Sequence, residues 1–478
     1  MSHPALAVVR PFYGGDWHDG EHIQTVPDKF TGRAAADVHV LSRDQLGEAV
    51  AGVTAGQERI RLTPYERGQI LTAAAALIAE RRAGLMAAIG ADTGFTVSDC
   101  AREADRAVQT LLLSAEEARR LTGETVPVDG APGQGGRIAF TRFHPLGVVC
   151  AITPFNSPLN TVVHKVGPAL AAGNGVVLKP AEQTPQTADA LLRALLDAGL
   201  PPELISVVHG PGETVGQWLA EDPRPAFYAF TGSTGVGEHL HATIGLRRSQ
   251  LEMGSLSSTI ICRDANLARC ADLAVSAGFR KAGQVCTSIQ RLYVERPVLA
   301  EVAAALTAAL GGRKAGDPAD PDTFVGPLIS PEDAERVHGW VTEASAQGAT
   351  VVTGGGRDGN VITPTVLAEV TPDMTVMCRE IFGPVLALRP FDDLGQAIDE
   401  INDTPYGLAA GIFTADIGRA LTAADRLRMG SVHINETSSS RVDLMPYTGV
   451  KASGTGVEGP RYAIREMSEE RLVTLGRP

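Results

Sequence analysis

One cysteine stands apart by its surroundings. In Phe279-Arg-Lys-Ala-Gly-Gln-Val-Cys-Thr-Ser-Ile289, Cys286 follows Gly283-Gln-Val and precedes Thr-Ser. Small, flexible residues on its approach leave room for an electrophile, and a thiolate with such access is a nucleophile if its surroundings lower its pKa. Most free cysteines are buried packing residues instead, so Cys286 needs companions before it reads as reactive. Polar residues at the ends of apolar runs supply them: Thr153-Pro-Phe-Asn-Ser-Pro158, Lys179-Pro-Ala-Glu182, Phe230-Thr-Gly-Ser-Thr-Gly-Val-Gly237, Leu251-Glu-Met-Gly254 and Glu380-Ile-Phe-Gly-Pro384. Residues placed just after strands are where open α/β folds gather their ligands.

The elements that must position them alternate. Gly147–Thr153, Gly175–Lys179, Leu204–Val208 and Ala226–Phe230 read as buried strands, separated by helical stretches over Thr161–Ala172 and Thr184–Gly199. Ser257–Cys262, a helix over Leu267–Ala282 and Ile289–Val294 repeat the style, followed by a strand-rich segment at 349–390. The pattern predicts an α/β protein of two lobes, each a parallel sheet flanked by helices. Upstream, Thr63-Pro64 predicts a capped helix start, and a second long helix is expected over Ser98–Leu121. Residues 1 to about 60 read as an irregular arm. The turn Gly130-Ala-Pro-Gly-Gln-Gly-Gly136 between Glu124–Val128 and Arg137–Phe143 predicts a projecting hairpin.

At 478 residues the chain exceeds one simple core. Its net charge of -13, without a basic run, argues against a nucleic-acid partner. No signal peptide or membrane-length apolar stretch is expected, which reads as a cytoplasmic protein. The six cysteines form no C-x-x-C pair, so neither a disulfide framework nor a zinc site is expected. His239 and His241 lack companions, and no metal site is expected.

The order of these motifs resembles the NAD(P)-dependent aldehyde dehydrogenase superfamily, from Thr63 to the C-terminus. Glu252 and Cys286 lie 34 positions apart and Asn156 and Lys179 lie 23 apart, as in that family. The resemblance implies a Rossmann-type cofactor domain over 1–122 and 146–253 and a catalytic domain over 254–454. It also implies oligomerisation elements over 123–145 and 469–478, and a return segment over 455–468. Cys286 would attack the aldehyde, and the Asn156 amide with the Cys286 N–H would hold the resulting oxyanion. Glu252 would activate the water that hydrolyses the thioester. Thr153, Pro154, Phe155, Lys179, Glu182, Gly212, Gly232, Ser233, Gly254, Glu380 and Phe382 would bind the cofactor, Glu182 by accepting from the adenosine ribose. A carboxylate there repels a 2′-phosphate and favours NAD; Lys179 offsets that repulsion, which keeps NADP as the alternative.

Relatives that pass the acyl group to coenzyme A generally lack a carboxylate at the Glu252 position, so hydrolysis to the free acid is expected over acylation of coenzyme A. A non-catalytic protein on this fold should have lost one of Cys286, Glu252 and Asn156, and all three are present. Ser255-Leu256 stands where the family usually has Gly-Lys, and Thr448 where glycine is common. Ser440-Arg-Val-Asp-Leu-Met-Pro-Tyr447 resembles the segment of dehydrogenases for small oxygenated or acidic aldehydes. Arg441, Val285 and Thr287 are the substrate candidates: Arg441 for an anionic tail, or else in an ion pair with a neighbour such as Asp443. Val285 is apolar where phosphate- and phosphonate-handling relatives place arginine. By resemblance the 124–143 hairpin and Arg471–Leu475 pair across subunits of a homodimer or homotetramer.

Overall fold

Side chains on a strand alternate between its two faces, so a strand covered by helices on both sides must be apolar throughout. Val148–Ile152 shows this directly. Val149 and Ala151 enter a core with Leu71, Leu111, Val166 and Leu191, while Val148 and Cys150 enter another with Leu46, Val50, Leu219 and Leu240. The computed structural model describes residues 6–476. Its first large sheet runs, in spatial order, Arg248–Glu252, Phe227–Thr231, Val148–Ile152, Gly175–Lys179 and Ile205–Val207, all parallel. Strand order reverses on either side of Val148–Ile152, which opens a crevice beyond its carboxyl end. Gly454–Thr455 and Phe12–Tyr13 close the parallel block as antiparallel neighbours.

A second sheet orders Thr350–Thr353, Thr365–Ala368, Val385–Phe391, Arg291–Glu295, Ser258–Ile261, Ala409–Phe413 and Ser431–Ile434. Only Thr350–Thr353 is antiparallel to its neighbour. Its core is built from Ile260, Leu292, Leu306, Val337, Leu386 and Ile398. Two α/β lobes, as expected, thus face each other across one crevice.

Two expectations are corrected. Residues 6–60 are ordered elements, not an irregular arm. His22–Pro27 and Ala34–Val40 form a small sheet with Ala7–Val9, and Arg43–Arg59 is a helix opened by a Ser42/Gln45 capping box. The hairpin is minor, because only Thr125–Val126 pairs with Ile138–Pro145. The main partner of that strand is Ser468–Leu475, over eight residues of the same chain. Ser468–Leu475 lies at the edge of this three-stranded sheet. Thr63 caps Pro64–Glu80 as expected, with Glu66 completing the capping box. Among the described residues no helix is long and apolar enough to cross a membrane, and no cluster of metal-ligating side chains occurs.

Candidate active site

Cys286 is delivered by a broken helix. Lys281 and Ala282 extend a helix-forming run, yet Leu267–Phe279 stops short of them, and Lys281, Ala282 and Gly283 all take positive φ (51°, 54° and 71°). Two contacts impose the break. The Lys281 N–H donates to the Asp99 carboxylate (2.9 Å). Gly283 lies so close to the Gly383 carbonyl that a Cβ would sit 2.1 Å from its oxygen, so glycine is required by both conformation and space.

A buried ion pair ties this loop to the one bearing Asn156. Glu103, fully buried on the helix Val97–Arg120, accepts from the Ser157 hydroxyl (2.6 Å) and from the Asn160 N–H (2.8 Å). Its other oxygen accepts from Lys281 Nζ (2.6 Å), which also donates to the Asn156 carbonyl (2.9 Å). Burial opposes ionisation of Glu103, but the Lys281 charge and these donors keep its pKa below the ordinary value. The Asn156 amide is thereby held against the nucleophile loop, donating from Nδ2 to the Gln284 carbonyl (2.9 Å). Lys281→Met is expected to cost about 3–5 kcal/mol, because it strands a buried carboxylate. Urea unfolding measures this, and an unchanged midpoint would contradict the clamp.

Glu252 ends its strand almost fully buried, and neither carboxylate oxygen has a hydrogen-bond partner. Burial raises its pKa well above the ordinary value and the Glu458 charge adds to this; Lys165 and Arg441 oppose it. Glu458 takes the opposite path. Burial opposes its ionisation too, but Arg441, His164 and Lys165 hold it well below the usual range. Two nearby carboxyls with pKa values driven apart are the arrangement expected where one is to accept a proton.

Cys286, Glu252, Asn156 and all the cofactor and substrate candidates line one cavity of about 650 Å³ between the lobes. On the nucleotide side, burial lowers Lys179 to about 8 despite Glu182, and Nζ meets only the Pro180 carbonyl at 3.3 Å. The hydroxyls of Thr153 and Thr231 are buried without partners. Ser233 begins the helix Thr234–Ile244, whose first N–H groups carry no side-chain cap, and Gly212 lies on the same wall. Unmet donors, a buried ammonium and an open helix N-terminus fit a dinucleotide and its pyrophosphate. Pro154 also lines this side, and Phe155 meets Phe382 of the other lobe edge to face at 5.9 Å. Burial lifts Glu380 to about 7, opposed by the Ser255 N–H that it accepts (3.0 Å). Gly254 has Thr234 Oγ1 and Glu380 Oε2 within 3.0 Å of where a Cβ would be.

The departures from the family pattern find places. The Ser255 hydroxyl pairs with Ser257 (2.8 Å), which donates to the Cys286 carbonyl (3.1 Å), and Leu256 is buried. Thr448 bonds the Gly456 carbonyl (2.6 Å). Of the substrate candidates, Thr287 pairs with Ser439 (3.1 Å), and Val285 lines the cavity. Arg441 is ion-paired with Glu458 and stacked on Tyr447, its carbon centre 3.9 Å from the ring centroid. The neighbour Asp443 is engaged by Arg106 and His164 instead.

Four functional candidates escaped the sequence reading: Arg280, Arg106, Tyr447 and Glu458, all on the cavity wall. Asp99, Glu103, Arg106 and Thr110 did leave a signal, as a polar stripe at helical spacing. So did Lys165, a charge in an apolar helix. Arg280 donates to Ser439 (2.6 Å), while its Nε is buried without a partner. Burial, then repulsion from Arg106 and Arg102, lowers it to about 10.

Two lobes thus meet at one cavity lined by a cysteine, a buried carboxylate and an uncapped helix N-terminus. Residues 17–473 match the sequence profile of the aldehyde dehydrogenase family. The chain is 43% identical over 464 residues to the 3-sulfolactaldehyde dehydrogenase of Priestia aryabhattai, with 97% of each chain covered. It superimposes with a TM-score of 0.95 on the NADP-dependent glyceraldehyde-3-phosphate dehydrogenase of Bacillus halodurans solved with NADP, at 34% identity and 99% coverage of both. The score is 0.94 for aldehyde dehydrogenase 21 of Physcomitrella patens solved with its product succinate, at 32% identity and 99% coverage of both. The chain belongs to the aldehyde dehydrogenase family.

Proposed function

We propose that this enzyme oxidises a small aliphatic aldehyde carrying an anionic group, with a sulfonated 2-hydroxyaldehyde as the leading candidate, to its carboxylic acid. The observation that carries this is the convergence of Arg280, Arg106 and Arg102 on the cavity that holds Cys286. Arg106 is paired with Asp443 (2.6 Å), which leaves Arg280, with its unused buried N–H, and Arg102 as the charges an anionic substrate would offset. The relative named for 3-sulfolactaldehyde and the one solved with succinate support the same substrate chemistry.

Cys286 Sγ attacks the carbonyl carbon as the C=O π pair moves to oxygen. The Asn156 amide and the Cys286 N–H receive that charge. Phe382, Glu380 and Gly254 would hold the nicotinamide, which would accept the hydride lost from the adduct carbon as the oxyanion pair re-forms C=O and leaves a thioester on Cys286. Glu252 then takes a proton from water, the hydroxide adds to the thioester carbon, and the C–S bond breaks with its electron pair returning to sulfur. NAD is the favoured nucleotide because Glu182 opposes a 2′-phosphate.

The test is steady-state NAD(P)H formation across an aldehyde panel with either nucleotide, with and without coenzyme A. Short sulfonated and carboxylated aldehydes with NAD are expected to win. Arg280→Met should weaken them by about 10–100-fold in kcat/KM while sparing neutral ones. Preference for long alkyl or aromatic aldehydes would refute the substrate class, and strict dependence on coenzyme A would refute the role of Glu252.

A further inference from the structure

The sulfur of Cys286 sits in a pocket that does not favour its charged form. Burial raises the thiol above its ordinary pKa, and Glu252 and Glu380 add negative charge nearby. A nucleophile so placed needs a donor aimed at it. Tyr447 Oη lies 2.8 Å from Cys286 Sγ, although 161 residues separate them in sequence. Tyr447 is buried, fixed at its backbone and covered on one ring face. Tyr447 exchanges both backbone hydrogen bonds with Glu458 (2.9 and 2.7 Å), and the Arg441 guanidinium caps its face at 3.9 Å. That guanidinium is fixed by Glu458, which is paired in turn with Lys165. A cation over a phenol face draws density from the ring and strengthens the O–H as a donor. Burial and the charge of Cys286 both hold the Tyr447 proton on oxygen, so the group remains a donor at working pH.

We propose that Tyr447 is a catalytic residue acting on sulfur: its O–H donates to the Cys286 thiolate that awaits the aldehyde, and again to the thiolate that leaves the thioester. In the second step the C–S electron pair returns to Sγ as hydroxide adds to the acyl carbon, and the proton from water resides on Glu252. The donor meets the charge where it reappears. The proposal rests on the reading of Cys286 as nucleophile.

The experiment measures the pH dependence of iodoacetamide alkylation at Cys286, located by mass spectrometry, beside that of kcat/KM. Losing a hydrogen bond to a charged group should slow alkylation of Tyr447→Phe about tenfold at pH 7. Its midpoint should move up, and the deficit in kcat/KM should narrow as pH rises. Melting temperature and nucleotide affinity should stay at wild-type values. Tyr447→3-fluorotyrosine, a stronger donor, should move the midpoint down. Coincident midpoints in wild type and Tyr447→Phe would overturn the proposal, as would no downward shift in the fluorinated enzyme. If the wild-type enzyme alkylated at Cys286 keeps its turnover, the reading of Cys286 falls by itself, whatever the midpoints.

Discussion

Cys286→Ala is expected to lower NAD(P)H formation on the order of ten-thousandfold or more, the scale seen when a covalent nucleophile is removed. No other described cysteine can substitute. Cys100, Cys150, Cys262 and Cys270 are buried in the cores, with thiols that burial pushes up to about 12, and the exposed Cys378 does not line the cavity. Nucleotide affinity should survive, since the crevice residues around Lys179, Glu182 and Ser233 are untouched. Fluorescence titration with NADH beside steady-state turnover separates the two. Residual turnover within tenfold of wild type would contradict a covalent route through this sulfur.

Glu252→Gln should stop the cycle later. The amide is nearly isosteric and leaves Asn156 and Cys286 in place, so the first hydride transfer proceeds and a burst of about one equivalent of NAD(P)H is expected. Steady turnover should then fall by roughly 10²–10⁴-fold, the contribution of a positioned base. The pH dependence carries a definite sign. Burial raises the pKa of Glu252, so the neutral form persists above the ordinary carboxylate range and only the ionised form accepts a proton. Wild-type deacylation should therefore climb as pH rises through that elevated midpoint, and this limb should vanish in Glu252→Gln. The same shift contributes stability that is fully present below the ordinary carboxylate pKa and is lost as pH rises from there through the elevated midpoint. A variant that hydrolyses thioester at the wild-type rate, with the limb intact, would remove Glu252 from the mechanism.

Val148–Ile152, Gly175–Lys179 and Phe227–Thr231 were legible because each is covered on two faces and nearly all apolar, whereas the parallel strand Arg248–Glu252 is mostly polar and gave no such run. The N-terminal strands were not legible either. In His22–Pro27 the apolar Ile23 is exposed and only Val26 is buried, and Phe12–Tyr13 is two residues long, so neither shows an apolar alternation. The helix read through to Ala282 failed for a different reason. Arg280, Lys281 and Ala282 favour helix locally, and the acceptor that breaks it, Asp99, comes from 182 residues away. Cys286, Glu252 and Asn156 stand in local motifs that sequence can display. Tyr447, Glu458 and the arginine cluster act through neighbours brought together only by the closing of the two lobes. Arg441 illustrates the limit: Asp443 was its apparent partner in sequence, yet Glu458, from the return of the chain to the first sheet, takes the charge.

A covalent bond between one sulfur and the substrate carbon underlies every step proposed for this enzyme. Acid-quenching Glu252→Gln with NAD⁺ and a carboxylated or sulfonated aldehyde, then mapping the peptides by mass spectrometry, tests it most directly. The expected result is an acyl adduct on Cys286, formed in step with the burst and missing from Cys286→Ala. An unmodified Cys286 peptide during the burst, or an adduct on another residue, would contradict it.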